Sequence, residues 1–379
     1  MRVLILTADI GEGHDLPARV LRDAILARRP AAHVTIADAI AVAGPLARAL
    51  VRSGSETILI RTPWLFDVQY WLAGRFPPTR RLAGFLAMRL ARRPFLRLIA
   101  RERPDVIVST YPVANEVVSR LRRQGRLHTP VASAITDLAA LSFWAHPACD
   151  LHLVIHPESA EEIHAIAGPD ARIVAVRGLT VPAFEEPADP VAARAALDLP
   201  ADGPVVVVSG GGWGVGDLRG AVDAALRAGP GVAVVALCGR NEGVRRRLDQ
   251  VFEGQDRVRI MGFTDRMGDV LAAADVLVHS TAGLTVFEAL VRGARVISFG
   301  WGVGHIRINN RVYRRFGLAD VVPGAAALTP AVQRALGSPR RPDLAYGRRP
   351  AAADEILALA GVRDGARRAE HGAAHEHQS

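Results

Sequence analysis

Short apolar runs that end in glycine or small polar residues recur along this chain, and amphipathic stretches separate them. "RVLILTAD", "HVTIAD", "DVIVST", "PVASAITD" and "LHLVIHP" form a first set. "PVVVVSGGG", "VAVVALCG", "VRIMGF", "DVLVHS" and "RVISFG" form a second. Unbroken apolar runs bounded by turn residues suit strands buried on both faces. Between them lie helical patterns such as "DLPARVLRDAILARR", where Asp15 is the expected cap and Pro17 falls in the first turn. Strands alternating with helices predict an α/β protein with parallel sheets. Two such sets, each opening on a strand and a glycine-rich turn, predict two Rossmann-like domains facing a cleft. The stretch "VPAFEEPADPVAARAALDLPADGP" reads as the link between them. The expected organisation is therefore residues 1–182, a linker 183–203, a second domain 204–361 and a polar, disordered tail 362–379.

Glycine-rich turns after strands let backbone approach a ligand closely. The first is "GEGH", residues 11–14, and the second is "SGGGWGVGD", residues 209–217. Neither has the three glycine offsets of the dinucleotide fingerprint, and Asp38 at the end of the second run reads as a strand-end cap. A nicotinamide enzyme is disfavoured. A third turn, "HSTAGLTVFEAL" at residues 279–290, passes from a strand through small residues into a helix. That arrangement suits an anion held on backbone N–H groups. Thr285 and Glu288 also have the spacing of a capping box, which needs no ligand.

Composition adds charge to this picture. The formal net charge is +9, and every basic side chain except histidine is arginine. Residues 44–103 hold twelve arginines against Glu56, Asp67 and Glu102, interleaved with Trp64, Phe66, Tyr70, Trp71, Phe76, Phe85 and Phe95. Such a mixture suits an anionic lipid surface, and it also suits a helix pair with a buried aromatic face. No nucleic-acid-binding signature accompanies the arginines. The two cysteines, Cys149 and Cys238, form neither a disulfide framework nor a metal-ligand spacing, so a reducing cytoplasm is expected. The N-terminal run is too short for a secretory signal. No stretch approaches the ~20 apolar residues that span a bilayer.

In family order over about residues 1–320, the chain then resembles the GT-B glycosyltransferases of one branch. That branch contains the monogalactosyldiacylglycerol synthases, the processive diacylglycerol glucosyltransferases and the peptidoglycan-lipid N-acetylglucosaminyltransferase. The matching stretches are "GEGH", "AITDLAALSFWAHPACDLHLVIHPES", "VRGLTVPAF", "SGGG", "CGRN", "GFTDRMGDVLAAADVLVHSTAGLTVFEAL" and "GHIRINNRVYRRFGLADVV". The resemblance implies a UDP-sugar donor, a lipid acceptor such as diacylglycerol, inverting transfer without a metal or other cofactor, and peripheral attachment to the cytoplasmic face of the membrane. It implies that Ala282, Gly283, Leu284 and Thr285 lie against the diphosphate and that Glu288 holds the ribose. Gly211, Gly212 and Arg240 would assist at the diphosphate. Phe263 and Met267 belong to the uracil loop. His305 and Asn309 would read the sugar.

His14 is the expected general base, with Asp137 as rival base or orienting partner. A structural histidine and a strand-end cap are their other readings. Gly13 and His146 fall on the acceptor side. Trp64, Phe66, Trp71, Arg80, Arg81 and Phe85 fall on the membrane side. The sequence departs from the family at Ile306, where a polar residue usually reads the hexose. A soluble glycosyltransferase of a secondary metabolite, a nucleotide-sugar 2-epimerase and a non-catalytic membrane-surface protein with a decayed donor site therefore stay open.

Overall fold

The computed structural model describes residues 1–9, 12–48, 77–300, 302 and 304–361. The expected membrane-side residues Trp64, Phe66 and Trp71, and the tail 362–379, lie outside these. Two six-stranded parallel sheets organise the described residues. The first has the order β2-β1-β3-β4-β5-β6, with β1 Arg2–Thr7, β2 His33–Asp38, β3 Val106–Ser109, β4 Val131–Ile135, β5 Leu151–Val154 and β6 Ile173–Ala175. The second has the order β12-β11-β10-β7-β8-β9, with β7 Val205–Ser209, β8 Ala233–Leu237, β9 Val258–Met261, β10 Val276–His279, β11 Arg295–Phe299 and β12 Asp320–Val322.

The first sheet carries α1 Glu12–Arg28, α2 Ala39–Ala43, α3 Pro45–Arg48, α4 Pro77–Glu102, α5 Pro112–Arg123 and α6 Ala160–Ala167. After α7 Pro190–Ala196 come α8 Leu218–Leu226, α9 Glu242–Val251, α10 Met267–Ala273, α11 Leu284–Arg292, α12 His305–Arg315 and α13 Ala325–Leu336. The last helix, α14, spans 352–361.

Most of the apolar runs form strands because both faces are covered; β2 and β9, at the sheet edges, are half-buried. In β7, Val205 and Val207 enter one core while Val206 and Val208 enter another. Each fully buried valine contributes roughly 1.5–3 kcal/mol. The first of these cores is continuous between the sheets, joining Val3 and Ile5 of β1 to Val205 and Val207. Strand order reverses between β1 and β3 and again between β7 and β10. Ligand crevices form outside the carboxyl ends of strands at such reversals. The turns after β1, β3, β7 and β10 are therefore the ones to inspect.

Four expectations change. Asp15 is not the cap of α1, because the helix begins at Glu12. Asp15 instead accepts a hydrogen bond from Thr7 Oγ1 at 2.9 Å. The link is not a free tether. Ala193 and Leu197 of the α7 region are buried in the shared core, and Arg194 donates to the carbonyl of Gly203 at 2.7 Å and to Asp275 at 3.2 Å. Residues 349–361, expected in the second domain, return to the first. Arg349 donates to the Ile155 carbonyl at 2.7 Å, Ala352 N to the Arg177 carbonyl, and Asp354 and Glu355 pair with Arg28 and Arg172. Finally, β6 and β12 are three-residue edge strands that the pattern does not show. Asp38 does cap, accepting from Ile40 N and Ala41 N at the start of α2.

Candidate active site

The first wall of the cleft is built around the start of α1. Pro17 has no N–H, so the Gly13 carbonyl four residues earlier has no helical donor there. Thr136 Oγ1, at the end of β4, donates to that carbonyl at 3.3 Å. The first turn of α1 is thereby fastened to the strand that leads into Asp137. A Cβ built on Gly13 meets nothing within 4 Å, so the turn is open at that point.

His14 lies in this turn, half-buried, edge-on to Tyr111 and tilted against Trp144. Its Nδ1 is 2.9 Å from the Thr110 carbonyl at the end of β3. A carbonyl only accepts, so Nδ1 carries the proton and Nε2 keeps its lone pair. Burial pulls the His14 pKa below its ordinary value; the Asp137 charge and the Thr110 bond oppose this, and His305 adds to it. The ring is a neutral base at pH 7. Asp137 is half-buried and accepts from Trp144 Nε1 at 2.9 Å, while the Trp144 carbonyl is held by Asn115 and Ser133. The carbonyl of Thr110 therefore orients His14, and Asp137 acts on it through charge.

The second wall stacks three turns of the other sheet. Gly211 has φ +66°, and a Cβ there would meet Thr281 Oγ1 at 3.0 Å. A Cβ on Gly239 would come within 2.4 Å of the Gly211 and Gly212 carbonyls. Glycine is what lets the turns after β7, β8 and β10 pack backbone to backbone. Gly283 has φ +108° and is the N-cap of α11. The helix therefore starts at Leu284, Thr285 is its second residue and Glu288 its fifth. The capping box is not formed, since it needs its acid at the third position. Ala282 and Leu284 pack on the shared core, and Thr285 is half-buried.

Glu288 is buried and accepts a hydrogen bond from Thr180 Oγ1. Burial raises its pKa to about 7, against the Thr180 bond and the Arg292 charge. Phe263 is half exposed, with the Arg240 guanidinium 3.9 Å over its ring, and Met267 is half-buried at the start of α10. Arg240 Nη2 also reaches across the cleft to Glu12 Oε1 at 2.6 Å.

His305 opens α12 and acts electrostatically on His14. Asn309 is not at an open sugar-reading position. Its Oδ1 accepts from Leu138 N and Ala139 N at 3.0 and 2.9 Å, and its Nδ2 donates to the Ala139 and His305 carbonyls. It is fully buried between the domains. Ile306 is also buried, so an apolar side chain there fills core.

His146 is a core residue and not a wall of the acceptor side. It is buried, accepts from Ala148 N at 2.9 Å, and burial lowers its pKa to about 4. Arg80 and Arg81 lie on α4, where their side chains are outside the described set, and Phe85 is exposed on it beside Leu82 and Leu90. Among the described residues, no group of three or more His, Cys, Asp or Glu could hold a metal ion, and no helix is long and apolar enough to cross a membrane.

The pattern did not reveal Glu12, Thr110, Thr136, Trp144 or Thr180. Each gains its place from a partner far away in sequence.

The sequence model of the monogalactosyldiacylglycerol (MGDG) synthase family matches residues 14–181. The processive diacylglycerol beta-glucosyltransferase of Staphylococcus haemolyticus is 28% identical over 220 residues, 58% of this chain and 55% of that protein. The chain thus spans about half the length of that relative. The enzyme of the same name from Bacillus subtilis is 24% identical over 329 residues, 85% of this chain and 83% of that protein. Among solved structures, Arabidopsis thaliana UGT89C1 with quercetin superposes with a TM-score of 0.57 at 15% identity, covering 96% of this chain and 93% of that one. The chain has the two-Rossmann GT-B fold, and its first half carries the sequence signature of the monogalactosyldiacylglycerol synthase family.

Proposed function

We propose that this protein transfers a hexose from a UDP-sugar to the hydroxyl of a lipid such as diacylglycerol, with inversion, at the cytoplasmic face of the membrane. The observation that carries the reading is His14. A neutral imidazole, tautomer fixed by the Thr110 carbonyl, stands at the cleft beside the start of α12. It accepts the proton of the acceptor hydroxyl on Nε2 as that oxygen attacks the anomeric carbon. Asp137 favours the imidazolium as it forms.

The leaving UDP gathers negative charge on its diphosphate. The start of α11 at Gly283, Leu284 and Thr285 offers N–H donors and a positive helix end to that charge, beside the turn at Gly211 and Gly212, where the Gly211 N–H is held by Ser209 Oγ. Glu288 holds the ribose and Phe263 lies at the base. The mechanism needs no metal. The relatives named diacylglycerol glucosyltransferases support a lipid acceptor. So does α4, where Leu82, Phe85 and Leu90 are exposed and Arg89 lies over Phe85. Apolar residues with arginine suit an anionic lipid surface.

The test is UDP release from a panel of UDP-sugars, with and without anionic vesicles containing diacylglycerol. Release from one sugar, only with vesicles and with a glycolipid product, is expected. His14→Gln should lower kcat by at least about a hundredfold, the range of a lost general base. Vesicle binding with no UDP release from any sugar overturns the reading.

A further inference from the structure

We infer that Glu12 is an internal competitor of the donor diphosphate, holding Arg240 until the nucleotide arrives. The inference rests on the UDP-sugar reading and names how that site is regulated.

Four contacts converge on Arg240 or its partner. Arg240 Nη2 lies 2.6 Å from Glu12 Oε1. The guanidinium covers the Phe263 ring at 3.9 Å. The Arg240 backbone N–H donates to the Gly212 carbonyl at 2.9 Å, so its base is anchored on the phosphate-side turn. Glu12 Oε2 is separately held by Arg19 at 2.5 Å. Burial raises the Glu12 pKa, but the bonds from Arg240 and Arg19 outweigh it and the net shift is downward, so Glu12 is a carboxylate.

Arg240 thus occupies both halves of the nucleotide site's chemistry. A carboxylate takes the place a phosphate oxygen would take, and the cation takes the face of Phe263 that a flat base would take. Arg240 and Phe263 belong to the second domain, whereas Glu12 begins α1, two residues before His14. Turning the guanidinium to the diphosphate frees the Phe263 face and releases the carboxylate from the cleft in one movement. Arg240 is half exposed, and Glu12 keeps Arg19, so the exchange does not strand a buried charge. Glu12 is a positioning residue: it acts on the donor through Arg240.

The experiment is a double-mutant cycle on UDP affinity, by calorimetry, with Glu12→Gln, Arg240→Gln and the double variant. An exposed ion pair is weak, so Glu12→Gln should tighten UDP about two- to fivefold. Arg240→Gln should weaken it about tenfold, as the loss of a charge-assisted contact does. In the Arg240→Gln background, Glu12→Gln should change nothing. Donor KM should fall in Glu12→Gln in step with the UDP affinity, which a merely structural role would not produce. If Glu12→Gln weakens UDP, or tightens it equally without Arg240, the competitor role is overturned while the donor reading stands. If wild-type protein binds no UDP, the donor reading fails and this inference with it.

Discussion

The two domains meet at two seams of opposite character. One is buried and uncharged at its centre. Asn309 spans it with three hydrogen bonds, to Leu138 N, Ala139 N and the Ala139 carbonyl, and its amide also donates to the His305 carbonyl of its own helix. Beside it, His156 packs edge-on to Phe287 and Tyr313, and Thr180 bonds Glu288. The other is ionic and exposed and lies in two separate places, Glu12 with Arg240 near His14 and Arg315 with Glu161 beside Leu138. Burial makes the first seam costly to break, because each group loses its partner without gaining water. Exposure makes the second cheap, because water and salt replace the partner. If the domains move, Asn309 is the pivot and Arg240 the free edge.

The largest effect should come from Asn309→Leu. It strands the buried N–H groups of Leu138 and Ala139, each costing about 1–3 kcal/mol. A loss of about 4 kcal/mol in urea unfolding is expected. Activity should collapse as well, since the loop that Asn309 grips follows directly on Asp137. A loss under about 1 kcal/mol would mean that the buried seam is not the pivot.

Next in size are two pH effects at the same seam, and they oppose each other. Burial and the Arg349 charge lower the His156 pKa to about 3, against 6.5 for a free histidine. Between those values the unfolded chain binds the proton and the folded chain does not. His156 therefore contributes stability that is complete above pH 6.5 and drains away as pH falls. Burial raises the Glu288 pKa from 4.5 to about 7, against Thr180 and Arg292. Between those values the folded chain holds the proton, so its contribution falls as pH rises. From pH 4.5 to 6.5 the two slopes cancel. Denaturant midpoints across that window should show it. Relative to wild type, His156→Gln should lose stability as pH rises and Glu288→Gln should gain it, each by up to about 3 kcal/mol at 1.36 kcal/mol per unit. Parallel profiles for wild type and both variants would show that neither group titrates with folding.

The same contrast explains what could be read from sequence. Ten strands were legible: eight are apolar runs buried on both faces, and the half-buried edges β2 and β9 are still long enough to carry a pattern. The three-residue edges Ile173–Ala175 and Asp320–Val322 carry too little pattern. His14 and Glu288 stood out because each follows a glycine turn that closes a strand pattern and opens a helical one. The cap at Asp15 was misread because Pro17 seemed to need a helix start just before it, whereas Thr136, 123 residues from Gly13, satisfies the freed carbonyl. Asn309 looked like a sugar ligand because its partners are 170 and 171 residues away. Glu12 had no visible role because Arg240 is 228 residues distant. Residues whose partners lie far along the chain, in the same domain or in the other, are those the pattern cannot place.

The smallest effect belongs to the exposed seam, and its smallness is the point. Arg315 and Glu161 are both well exposed at 2.9 Å, and Arg240 with Glu12 is only partly shielded. Holding two long side chains in one geometry costs entropy that offsets much of the attraction. Arg315→Gln and Glu12→Gln should therefore each change the stability of the free protein by less than about 0.5 kcal/mol, with the effect fading further in 0.5 M salt. Thermal unfolding at two salt concentrations measures this directly. A neutral result on stability, together with altered UDP affinity in Glu12→Gln alone, would separate the two ionic contacts. Both are weak bonds, but only the one at the nucleotide site would be coupled to a ligand. A loss as large as that of Asn309→Leu would instead make the ionic seam a second structural clamp, and the pivot at Asn309 would have no free edge to open.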